Sequence, residues 1–291
     1  MTFTVLDTGP AMRHVLHAAE QNRAELLRTM LEPASGMYRF FPGEPDLVHM
    51  HELASGFPLD RDLELSTDGL RRLEDAHAWE RIGRALHGAA EHLERVHPGL
   101  RVPDATVLLV LGDPTDGFFQ DTGFGMNANG SVPGYISLTI WPSPENLDRL
   151  EATAVHELHH NVRYAPGNVL WDPATVTVGE YVVSEGLADA FARELYGEER
   201  GRARIGAGAV GDDEAFARVL TGLDVTGMQN FTAWVLGDAH AARFGGEPVG
   251  LPTGAGYAAG NRLVDAYLAA TGRTASECLL APADEVIATS V

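Results

Sequence analysis

Residues 156–160 read His-Glu-Leu-His-His, and this pentapeptide constrains the chain more than any other stretch. On an α-helix, residues four apart share a face and lie about 6 Å apart along the axis, so the imidazoles of His156 and His160 can converge on one cation. Glu157 sits beside that face, where its carboxylate can reach a water at the metal without itself being a ligand. His159 could pair with His156 at three-residue spacing, but Glu157 fits the general-base role only with His160. The helix is seated by the apolar stripe Leu147, Leu150, Ala154 and Leu158, and Ser143 or Asn146 can open it.

A catalytic metal takes three protein ligands and keeps a position for water, so a third donor should come from a separate element. Glu185 stands in Val-Val-Ser-Glu-Gly-Leu-Ala-Asp-Ala-Phe, an apolar helical segment where an unpaired carboxylate would be costly. Asp189 is one turn further along the same face, placed to accept the outer N–H of a ligand imidazole and fix its tautomer. Glu180 is the rival ligand, but no carboxylate follows it one turn later. Arg163 reads as a structural ion-pair partner. His49 and His51 precede no second histidine at the required spacing and are expected at the surface.

The rest of the chain supplies a scaffold of mixed type. Apolar residues at three-to-four spacing predict a helix over Pro10–Leu31 and a second over Thr67–His97, begun by Ser66 or Thr67 and stopped by Pro98-Gly99. Thr106–Leu111 reads as a buried strand and Tyr135–Trp141 as a half-buried one with alternating faces. Between them Gly112–Gly134 reads as a long irregular segment, with Asp113, Asp116 and Asp121 as solvated turn residues that lack calcium-loop spacing. The expected fold class is therefore α+β and predominantly helical: a helical N-terminal portion over residues 1–100, and residues 101–291 with a small sheet beside the metal-binding helix.

The formal net charge is −20 and the 21 basic residues are all arginine, a field that repels phosphate backbones and anionic lipid surfaces. Neither nucleic acid nor a membrane is expected as a partner. One cysteine, Cys278, excludes an intrachain disulfide and a Cys-rich zinc site. The first residues show no basic-then-apolar leader and no long apolar run follows, so a cytoplasmic location is the default expectation.

These motifs resemble the gluzincin metallopeptidases, in which H-E-x-x-H on one helix is joined by a Glu within E-x-x-x-D on another; Glu185 to Asp189 is similar to that second motif. More narrowly, the chain resembles the YjaZ-like family of zinc-dependent proteases (domain of unknown function 2268). The resemblance rests on Pro133–Leu138, His156–Arg163, Gly237-Asp238, Gly256–Gly260 and Pro282–Ile287. It implies a zincin-like catalytic core, one Zn2+ per chain, and hydrolysis of a peptide or protein substrate with Glu157 as general base. It also implies a strand that forms the lip of the cleft, for which Tyr135–Trp141 is the candidate, although ordinary sheet pairing fits the same alternation. A donor to the oxyanion is needed; Tyr257 is the first candidate and His240 the second. Two other readings stay open: a zinc hydrolase of a small amide or ester, and a metal-stapled binding module without turnover.

Overall fold

The computed structural model describes residues 1–41 and 43–290. It is predominantly helical with one small sheet, as the sequence predicts. The chain divides into two compact units, one of Met1–Arg95 with Gly99–Asn161 and one of Val96–Pro98 with Val162–Val291.

The first unit holds the sheet. Its strands are β1 (Phe3–Val5), β2 (Ala105–Leu111), β3 (Met126–Asn129) and β4 (Tyr135–Ile140). They stand in the order β1-β2-β4-β3, with β1, β2 and β4 parallel and β3 antiparallel to β4. β2 is apolar and buried from Val107 to Leu111, as a strand covered on both faces must be. β4 is paired to β2 along one side and β3 along the other, so its backbone groups are engaged within the sheet. Tyr135–Ile140 is therefore an interior strand with no free edge, and β1 and β3 are the edge strands of this sheet. β3 falls inside the stretch expected to be irregular; its sequence, Met-Asn-Ala-Asn, alternates over only four residues and is made of Asn and Ala, poor strand formers, beside one Met, so its pairing with β4 defines it.

Around the sheet run α1 (Thr8–His17), α2 (Glu20–Leu31), α3 (Leu47–Leu53), α4 (Leu63–Asp75), α5 (Ala78–Val96), α6 (Pro144–Asp148) and α7 (Leu150–Arg163). The helix expected over Pro10–Leu31 is two helices. Ala18 is extended (ψ 158), and no residue between Leu16 and Leu27 is buried, so the two apolar stripes serve different helices. Arg23 fixes the bend by donating to the carbonyls of Ala18 (3.0 Å) and Leu59 (2.6 Å). The helix expected over Thr67–His97 is also two, parted at His77, whose φ of 53° is left-handed. α4 starts at Leu63 after Asp62, and Ser66 is buried inside it instead of capping it. Ser143 caps α6 by accepting from Asn146 N (3.2 Å), so neither Ser143 nor Asn146 opens α7.

His51 and Asp113 were expected in solvent and are buried. His51 is 4% exposed and bonds the Phe57 carbonyl at 2.9 Å. Asp113 receives Arg61 (2.9 Å) and the amide of Thr115 (2.7 Å), partners that lie far apart in sequence and near it respectively. Asp116 accepts from Ser55, while Asp121 is exposed as expected.

The second unit is helical. α8 (Val178–Tyr196) is followed by α9 (Glu198–Gly201), α10 (Asp213–Leu220), α11 (Asp238–Arg243), α12 (Ala255–Thr271) and α13 (Ala283–Ser290). Thr177 caps α8, accepting from Glu180 N at 3.0 Å. α12 crosses α8 where two glycines meet: a Cβ on Gly186 would lie 2.2 Å from the Gly260 carbonyl oxygen. Val182, Trp234, Val235 and Leu263 belong to the apolar core of this unit. Among the described residues no helix is long and apolar enough to cross a membrane.

Candidate metal centre

The metal motif lies on α7, and every residue from Ala154 to Ala165 is buried. A helix buried on all sides carries histidines only where something satisfies them. His156 Nε2 and His160 Nε2 stand 3.1 Å apart, the two rings at 77° to one another. Two nitrogens bound tetrahedrally to one zinc at about 2.05 Å would be about 3.3 Å apart, so the pair already has the required convergence.

His156, His160 and Glu185 form a buried group able to hold a metal: one ligand atom from each lies within 4.8 Å of the others. Two imidazoles and a carboxylate are a donor set that suits zinc, with three protein ligands as in catalytic sites. Among the described residues no fourth His, Cys, Asp or Glu joins them. Glu157 is buried beside His156, 6% exposed.

Glu180, the rival ligand, is engaged elsewhere. Arg163, fully buried, donates Nε to Oε1 (2.7 Å) and an Nη to Oε2 (2.9 Å) of Glu180, and its other Nη serves the carbonyls of Leu279 (2.9 Å) and Ala281 (3.0 Å). This is a bidentate pair of the strong kind, and it makes Arg163 the structural partner that the sequence suggests.

Asp189, fully buried, accepts from Asn261 Nδ2 (2.7 Å) and from the amide of Ala203 (3.2 Å). Arg193 pairs with Asp265 and Glu198, not with Asp189. Tyr257 stands in the first turn of α12, one turn before the Gly186–Gly260 crossing that lies next to Glu185 on α8. Its carbonyl also accepts from Asn261 (2.9 Å). His240 is buried on α11, and burial pushes its imidazole below the usual range. Asp238, in the Gly237-Asp238 pair, binds the amides of Val249 and Gly250 and so orders a loop.

Three asparagines have roles that the sequence does not show, Asn146 having been expected to open the metal helix. Asn261 orients Asp189; Asn146 and Asn161 grip the β3–β4 hairpin. Asn261 alone stands among mostly apolar helical neighbours; Asn146 and Asn161 have charged or histidine neighbours and carry no such signal.

Residues 79–288 match the family model described as "Predicted Zn-dependent protease (DUF2268)". "Uncharacterized protein YjfC" of Bacillus subtilis (strain 168) is 30% identical over 278 residues, covering 92% of this chain and 91% of that protein. No solved structure matches the chain. On this match, and with a buried His-His-Glu group inside the matched span, the chain belongs to the DUF2268 family of predicted zinc-dependent proteases.

Proposed function

We propose that this protein is a metallopeptidase in which His156, His160 and Glu185 hold one zinc ion and Glu157 is the general base. The observation that carries the reading is the buried three-atom convergence within 4.8 Å, beside a carboxylate that is not among the ligands. When bound, zinc supplies a Lewis acid that lowers the pKa of a water to about 7 and polarises the scissile carbonyl. Glu157 takes the proton of the attacking water and returns it to the leaving amine. Asp189 would accept the outer N–H of a ligand imidazole and so fix which ring nitrogen is left free to hold the ion. Asn261 and the Ala203 amide in turn hold Asp189.

Tyr257 donates to the developing oxyanion, a role supported by its place one turn from the α8–α12 crossing beside Glu185. The substrate is an extended peptide added to the outer edge of β3. That strand is the last of the sheet, and its Met126 Sδ accepts from the Thr153 hydroxyl of α7 at 3.1 Å, one turn before His156.

Glu157→Gln keeps the size of the side chain and removes its basicity. Zinc stoichiometry and melting temperature should match the wild type, while hydrolysis of a peptide library falls about 10²–10⁴-fold. Equal hydrolysis by the two proteins would remove Glu157 from the mechanism, and loss of zinc would mean the ligands are misassigned. A wild type that binds zinc and hydrolyses small amides or esters but no peptide would reassign the substrate, and one that turns over nothing would be a binding module. In the same assay Tyr257→Phe should lower kcat about 10²–10³-fold with folding intact; unchanged kcat would transfer the oxyanion role to another donor, His240 first.

A further inference from the structure

The β3–β4 hairpin is gripped at both ends by buried carboxamides. Asn146 on α6, 1% exposed, donates Nδ2 to the carbonyls of Phe124 (2.9 Å), Gly125 (3.1 Å) and Trp141 (2.9 Å), where β3 begins and β4 ends. Asn161 on α7, fully buried, holds the opposite end, where β3 finishes and β4 starts. Its Nδ2 donates to Gly130 O (2.9 Å), Val132 O (3.1 Å) and Tyr135 O (2.7 Å), and its Oδ1 accepts from Gly134 N at 3.0 Å. Two N–H groups are thus shared among three carbonyls and one lone pair takes an amide, so both donors and an acceptor site of this carboxamide are used by one loop.

The same loop touches the helix backbone at a second point. A Cβ on Gly130 would lie 2.0 Å from the carbonyl oxygen of Glu157, so only glycine permits this approach. Asn161 is one turn after Glu157 on α7 and Gly130 directly follows β3. The end of the edge strand is therefore pinned to α7 at two points one turn apart, by the Asn161 side chain and by close approach of Gly130 to the backbone of the proposed general base.

We infer that Asn161, with Gly130, is a positioning device that sets the register of the β3 edge against Glu157, and so sets where along an added peptide the scissile bond falls. This rests on the peptidase reading above. It assigns to Asn161 a part in substrate alignment without contact to substrate or metal. A carboxamide that merely filled the core could be replaced by an apolar side chain of similar size; one that satisfies four backbone groups of a loop cannot, because each group left unpaired carries its own desolvation cost.

The test uses Asn161→Leu and Gly130→Ala, compared with wild type for zinc stoichiometry, amide hydrogen exchange, and the kinetics and cleavage position of a peptide substrate from a library digest. Expected are full zinc content, exchange roughly 10- to 100-fold faster confined to residues 126–135, a KM raised about tenfold with kcat changed less, and additional cleavage one or two residues from the wild-type bond. Gly130→Ala displaces the loop while leaving the carboxamide in place, so it carries the test if Asn161→Leu does not fold. Faster loop exchange with unchanged KM and a single unshifted cleavage would overturn the alignment role while the peptidase reading stands. Exchange accelerated throughout α7 and the sheet, or loss of zinc, would make Asn161 a core residue only. A zinc-loaded wild type that cleaves no peptide would instead strike the peptidase reading, and this inference with it.

Discussion

α5 and α8 are the same length, 19 residues each, and are built on opposite plans. α5 buries Ile82, Ala85, Leu86, Ala89, Ala90 and Leu93 along one stripe and turns Glu80, Arg84, His87, Glu91 and Arg95 to solvent. α8 is buried continuously from Val178 to Ala192, and that span contains Glu180, Glu185 and Asp189. Charge on the exposed face of α5 is hydrated at no cost, whereas every carboxylate in this buried span of α8 has to be met by the protein. Arg163 meets Glu180, Asn261 and the Ala203 amide meet Asp189, and Glu185 shares a metal-competent cluster with His156 and His160. A helix with a dry side for its core and a wet side for its charges is support. One that buries its charges has been fitted to hold them for some other purpose.

The contrast is broken most severely at the ion pair. Glu180→Ala strands the buried Arg163 guanidinium and should cost about 3–5 kcal/mol in denaturant unfolding, whereas Glu91→Ala on the exposed face of α5 should stay within about 0.5 kcal/mol. Replacing both partners with apolar residues, Arg163→Met with Glu180→Leu, should recover most of the loss, because the penalty lies in the orphaned charge. Equal effects at Glu180 and Glu91 would abolish the distinction between the two helices.

α3 extends the contrast to a single titrating group. Burial holds the His51 imidazole down at about 4, against an ordinary value of 6.5, although the Phe57 carbonyl and Asp113 both favour the charged form. Between those values the unfolded chain binds the proton and the folded chain does not, so stability increases with pH. The contribution is complete above about pH 6.5 and is lost as pH falls toward 4, on the order of 3 kcal/mol in all. Unfolding curves at pH 7 and pH 4.5 should show a smaller difference in His51→Gln than in wild type; an identical difference would assign the acid sensitivity elsewhere.

The finest test is at Asp189. Asp189→Asn keeps the shape and removes the charge proposed to support a ligand imidazole, so zinc affinity measured by competition with a chromophoric chelator should fall about 10–100-fold. Unchanged affinity would reduce Asp189 to a packing residue and leave α8 with two purposeful carboxylates instead of three.

Helical spacing is a local property, and what depends on it could be read directly from the chain. His156 and His160 share a face, and so do Glu185 and Asp189, because four residues make about one turn whatever surrounds them. The α+β class and the strands at β2 and β4 follow from equally local runs of apolar residues. Tertiary structure decided the rest. The alternation of Met-Asn-Ala-Asn is too short, and its two Asn and Ala too poor as strand formers, to mark β3; its hydrogen bonds to β4 do. The breaks at Ala18 and His77 answer to where each apolar stripe finds its partner, and His51 and Asp113 are buried because Phe57 and Arg61 are there to receive them. Asn146, Asn161 and Asn261 look alike in sequence, and each has its meaning from carbonyls and carboxylates that are mostly distant along the chain. Periodicity reports which side of an element is apolar, but the partner of a buried polar group is set by contacts that only the folded chain brings together.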